Sequence, residues 1–112
     1  MDIVTVLDYI SKIDMSNLYL TEHFIIRANE RKSDIYPDAK GIIEIILNET
    51  PLGILKQSEE KFKLIYPLNN DDDYIVIMSV KKINPLRINL ISCFPEDAKK
   101  RRRDDASTFR PQ

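Results

Sequence analysis

The stretch YIVIMSVKK at residues 74–82 decides the fold. Apolar side chains fall at both odd and even positions, the pattern of a strand covered on both faces and so of a central strand. NNDDD at 69–73, just before it, is a strong turn signal. Ahead of that turn, KFKLIY at 61–66 alternates, with Phe62, Leu64 and Tyr66 on one side and Lys61, Lys63 and Ile65 on the other. Asn84-Pro85 marks the next turn, and RINLISCF at 87–94 reads as a last, largely apolar strand. Residues 52–56 add a short strand. These runs, joined by short loops, predict a three- to four-stranded antiparallel meander.

Upstream of Pro51 the period is 3.6 instead of 2. Ile3, Val6, Leu7, Ile10 and Ile13 recur at steps of three and four, which predicts an amphipathic helix over 3–13 with Asp2 as N-cap. Residues 14–17 read as a connector. TEHFIIRANERK at 21–32 predicts a second helix, with Thr21 as N-cap and Glu22 at the positive end of the dipole. Pro37 suits the first position of a third helix, along which Ala39, Ile42, Ile43, Ile46 and Leu47 form an apolar stripe. Gly41 costs helix stability there and marks a close contact. Helices first and strands second, without βαβ alternation, give the class α+β: N-terminal helices on one face of the meander, followed by a short basic C-terminal helix or tail. Residues 1–98 form a single domain and 99–112 the basic tail.

At 112 residues, 43% hydrophobic and 31% charged, the chain can bury a core and fits one domain. No apolar run approaches a membrane span, and the start, with Asp2 and Asp8, lacks the basic leader of a signal peptide. The lone Cys93 forms no internal disulfide, which suits a reducing cytoplasm. A cytoplasmic protein without a membrane partner is the expectation. The net charge of −1 is unlike that of a dedicated nucleic-acid binder. From residue 96 onward, however, six basic and four acidic residues give +2, which leaves −3 on the body. A polyanion would therefore meet a local basic patch.

Metal and phosphate-loop chemistry find no support. His23 and Cys93 stand seventy residues apart, 71–73 lacks the spaced ligands of a calcium loop, and there is neither a glycine-rich loop nor a G-x-S-x-G elbow. No cofactor is implied. A Cys93–His23 dyad competes with the reading of Cys93 as a small apolar strand residue, and the latter is favoured. The second helix carries more. His23, Arg27, Glu30 and Arg31 fall within about 100° of one another on a helical wheel. Phe24, Ile25 and Ala28 occupy the neighbouring arc. An imidazole able to move protons near neutrality and two guanidinium forks matched to phosphate are what metal-free RNA cleavage needs. The competing reading is a solvated face on which the arginines pair with Glu22 or Glu30. KKRRR at 99–103 can attract phosphates, or simply complement a helix C-terminus. Of the aromatics, Tyr66, Tyr74 and Phe94 fall in strands and could face either core or solvent; alternation puts Tyr66 with Phe62 and Leu64, which reads as core rather than as a base-stacking platform.

EHFIIRANER at 22–31, the apolar helix at 42–47 and the strands YIVIMSV and INLISCF resemble a family of small microbial H-x-x-x-R-x-x-x-R domains. Those domains look related to the barnase–EndoU–colicin–RelE nucleases, including the BrnT toxins. The resemblance, over about residues 21–95, implies an RNA-cleaving or RNA-binding protein, of the kind that serves as the toxin of a toxin–antitoxin pair. His23, Arg27 and Arg31 would then be catalytic, and Lys99, Lys100, Arg101, Arg102 and the Ser92 hydroxyl would hold substrate. RNA and an antitoxin-like protein are the implied partners. Two departures, the acidic body and a first helix outside the matching region, support an alternative: a catalytically inactive interaction or homodimerisation module.

Overall fold

The computed structural model describes residues 2–83 and 85–103, and their side chains except at 82, 83 and 101–103. The elements run α1 (Ile3–Ile10), β1 (Leu18–Leu20), α2 (Glu22–Arg31), α3 (Ala39–Asn48), β2 (Gly53–Lys56), β3 (Lys61–Pro67), β4 (Asp72–Ile83), β5 (Leu86–Asp97) and α4 (Ala98–Arg103). The class is α+β. The sheet has five strands in the order β1-β5-β4-β3-β2, with β2 to β5 an antiparallel meander and β4 between β3 and β5. The fifth strand corrects the expected three or four: β1 pairs with β5 in parallel, through Leu18↔Ile88 to Leu20↔Leu90. Three residues are too few for a period-2 pattern to register in sequence.

The helix starts follow their caps. Asp2 accepts from Thr5 N at 2.7 Å, and Thr21 accepts from Phe24 N at 3.2 Å. Asp38, rather than Pro37, caps α3 by accepting from Gly41 N at 2.9 Å, so Pro37 lies just before the helix. Helix α1 stops at Ile10, short of the expected residue 13. Asn17 donates to Lys12 O and Asp14 N donates back to Asn17, which folds 12–17 into a turn.

One large core lies between the helices and the sheet. It joins Val6, Ile10, Phe24, Ala28, Ile42 and Ile46 to Ile54, Phe62, Leu64, Tyr66, Tyr74, Val76, Met78, Ile88, Leu90 and Cys93. The strand alternation therefore has Phe62, Leu64 and Tyr66 facing the helices, as expected. The other sheet face carries a smaller cluster of Ile65, Ile75 and Ile77, with Leu55, Ile91 and Phe94 packed against it. A bulge in the β4–β5 ladder, where Ile77 pairs with Ser92 and Met78 with Leu90, turns Ile91 toward that cluster. Among the described residues no helix is long and apolar enough to cross a membrane.

Candidate functional site at the α2 ridge

Helix α2 lies over β5. Thr21 fixes its start twice: its hydroxyl accepts from Phe24 N and also donates to Leu90 O at 2.8 Å. Phe24 and Ala28 are fully buried beneath it, while Ile25 stays 39% exposed, so the buried arc is narrower than the sequence suggested. His23 and Arg27 are exposed, one turn apart on the flank of this buried arc, and Arg31 is half-buried a turn further on. Because β1 ends opposite Leu90, β5 has a ladder partner only on its β4 side beyond that point. Arg31 reaches this uncovered stretch, and its Nη1 donates to Cys93 O at 2.6 Å.

Among the described residues no carboxylate forms an ion pair with Arg27 or Arg31, and none joins Glu22 or Glu30 to a cation. Two full positive charges thus remain unneutralised on the ridge that carries His23. Cys93 is fully buried under α2, with Sγ 4.0 Å from Phe24 O, whereas His23 points to solvent, so the two form no dyad. Burial pushes the Cys93 thiol pKa up; the nearby Tyr74 hydroxyl and Arg31 charge pull it down by less. Tyr66 and Tyr74 are each 1% exposed, in the helix-side core, and Phe94 packs on the far face. Neither tyrosine offers a stacking surface, and Phe94 is half-buried.

The other expected substrate contacts lie elsewhere. Ser92 is paired with Ile77, a far-face residue, and so stands on the side of the sheet away from α2. Lys100 Nζ is 3.4 Å from Glu96, Lys99 is exposed, and its backbone N–H is capped by Asp97. Arg101 and Arg102 lie on α4, but their side chains fall outside the described residues. The basic run is therefore separated from the ridge by the last residues of β5.

Two features escaped the sequence reading. Lys63 and Glu96 form an ion pair on the far face, with side chains 10% and 12% exposed. Period-2 alternation put Lys63 on the side of Ile65, but Glu96 was missed because β5 runs on to Asp97, past the expected end at Phe94. Tyr19, on β1, is 50% exposed, with the Arg87 guanidinium 4.9 Å from its ring centre. No group of three or more His, Cys, Asp or Glu able to hold a metal occurs among the described residues.

The model of the MJ0788 family matches residues 4–78, from α1 into β4. The chain belongs to the MJ0788 family. It is 40% identical, over 62 residues, to the uncharacterized protein MJ0788 of Methanocaldococcus jannaschii, a match covering 55% of this chain and 77% of that one. The MJ0788 family region includes α2 with its ridge and leaves β5 and α4 outside. No solved structure matches the chain.

Proposed function

We propose that the chain is a small metal-independent endoribonuclease of the RelE and BrnT kind, of the sort that serves as a toxin held in check by an antitoxin. The observation that carries this reading is the unneutralised pair Arg27 and Arg31 on the ridge of His23. His23 moves the proton at the ribose 2′-hydroxyl or at the leaving oxygen. Arg27, exposed and permanently charged, grips the phosphate. Arg31 spends one N–H on Cys93 O, which fixes the guanidinium, and keeps its other donors for a nonbridging oxygen. The helix–helix–meander order on which the resemblance rests is present in the fold, and it supports the reading as analogy only.

The test is labelled RNA incubated with the protein in EDTA. The wild type is expected to cleave, and His23→Ala to slow cleavage on the order of 100-fold or more, the usual contribution of a general acid or base. Absence of cleavage by the wild type, or equal rates for the variant, overturns the assignment.

A second reading, an inactive interaction or dimerisation module, draws on Ile25 and Ile26 of α2, which are 39% and 47% exposed. Light scattering decides it: a dimer that Ile26→Lys dissociates supports a protein contact through this face, and a monomer counts against homodimerisation.

A further inference from the structure

The Tyr19–Arg87 pair lies on the sheet face opposite α2. Leu18 and Leu20 belong to the helix-side core, so Tyr19 between them faces the other way. On β5, Ile88 and Leu90 are likewise helix-side, which puts Arg87 and Asn89 on the far face beside Tyr19; Tyr19 and Asn89 are register partners. Ser16, Asn17, Leu18, Tyr19, Leu86 and Arg87 border a concavity of about 500 Å³, within the range of small-molecule clefts. Arg87 is exposed and, among the described residues, forms no ion pair with a carboxylate. The Asn89 Oδ1 is buried and takes no hydrogen bond among the described residues.

We propose that this concavity is a nucleotide subsite, in which a base stacks on Tyr19 and Arg87 engages the adjoining phosphate. The chemistry of each group supports the assignment. A half-exposed tyrosine offers a π-face to any base. The Arg87 guanidinium, which lies over the ring, would swing aside to pair with the phosphate and leave its face of Tyr19 to the base. An exposed aromatic and an unneutralised arginine thus meet at one edge of the sheet, distinct from the ridge on α2. The assignment rests on the RNA reading for the nature of the polymer, but on none of the ridge residues.

The experiment measures binding and cleavage separately. A fluorescent 2′-O-methyl RNA 12-mer, which cannot be cleaved through a 2′-hydroxyl, is titrated in EDTA against the full chain, Tyr19→Leu, Arg87→Ala and Glu44→Gln. Adenosine and uridine monophosphate are titrated in parallel, followed by amide chemical shifts. The expected result is binding by the wild type and weakening by at least about five-fold in Tyr19→Leu, the lower end of what one stacked base contributes. Arg87→Ala weakens binding and flattens its salt dependence, while Glu44→Gln, exposed on α3 and outside both sites, binds as the wild type does. Shifts at Tyr19 and Asn89 with the monophosphates identify a free nucleotide as a sufficient ligand; such shifts with the 12-mer alone assign the subsite to a strand. Equal affinities for wild type, Tyr19→Leu and Arg87→Ala overturn the subsite and leave the RNA reading standing. Binding that depends on Tyr19, without cleavage of ordinary RNA, overturns the nuclease and leaves the subsite. No binding by the wild type overturns both.

Discussion

Arg31 Nη1 and the carbonyl oxygen of Cys93, 62 residues apart in the chain, are joined by a 2.6 Å hydrogen bond. The bond ties the C-terminal turn of α2 to β5 just where β1 no longer flanks it. A hydrogen bond from a charged donor contributes about 1.5–3 kcal/mol. Arg31→Met should lower stability to urea by that order. Arg31→Lys should recover part of it, because an ammonium on a flexible stem can reach a carbonyl but lacks the planar fork. Equal unfolding midpoints for the wild type and Arg31→Met would show the bond to be energetically idle.

Lys63 Nζ lies 3.0 and 3.2 Å from the two oxygens of Glu96, across the far face of the sheet. The cross-strand partner of Glu96 is Asp73, another carboxylate, buried to 1% exposure. Removing Lys63 leaves Glu96, among the described residues, with Lys100 at 3.4 Å and half exposed. Lys63→Met is therefore expected to cost about 3–5 kcal/mol, as breaking a buried pair does. Glu96→Gln should cost less, since the carboxamide oxygen that replaces the carboxylate can still accept from Lys63. Denaturant unfolding of both variants checks the order; a larger loss in Glu96→Gln refutes it.

The Cys93 thiol is raised above its ordinary pKa of 9.0, chiefly by burial. An acid whose pKa is higher when folded adds stability below its unfolded pKa and loses it as pH rises through the folded value. Stability should accordingly fall above about pH 9, the ordinary thiol value, and Cys93→Ala should flatten that limb. Iodoacetamide at pH 9 should leave the native thiol unmodified and alkylate it in urea, as read by mass spectrometry. Rapid alkylation of the native protein would place the thiol outside the core.

Much of this arrangement was legible in residue spacing, because the relevant signals are local. Thr21 and Asp2 announce their caps, and Phe62, Leu64 and Tyr66 announce the buried side of β3. The apolar run on both faces of 74–80 gave the central place of β4. What stayed hidden depends on contacts between distant segments. β1 is three residues long and exists through its pairing with β5. The bulge at Ile91 lets β5 present Cys93 to the helices and Ser92 to the other face, which no alternation rule foretells. On the ridge, spacing placed His23, Arg27 and Arg31 together, yet it could not show that Arg31 reaches a backbone carbonyl while Arg27 stays in solvent. Tyr19 was missed as a candidate aromatic because its exposure follows from the alternation of a strand that the sequence did not reveal.

Gly41 shows how a local rule and a local contact oppose each other. Glycine inside a helix costs about 1 kcal/mol relative to alanine, so Gly41→Ala should by propensity alone stabilise α3. A Cβ at this position, however, would stand 2.8 Å from Pro37 Cβ and 3.4 Å from Asp38 Oδ1. The first contact is closer than carbon atoms tolerate, and a proline ring has little freedom to retreat. The second involves the oxygen that caps Gly41 N, so relief by moving Asp38 weakens the cap. Gly41→Ala is therefore expected to destabilise the protein. Its cost should shrink in a Pro37→Gly background, where the opposing Cβ is gone. A double-mutant cycle in urea measures this coupling. A higher unfolding midpoint for Gly41→Ala alone would mean that the turn before α3 yields more easily than its proline permits.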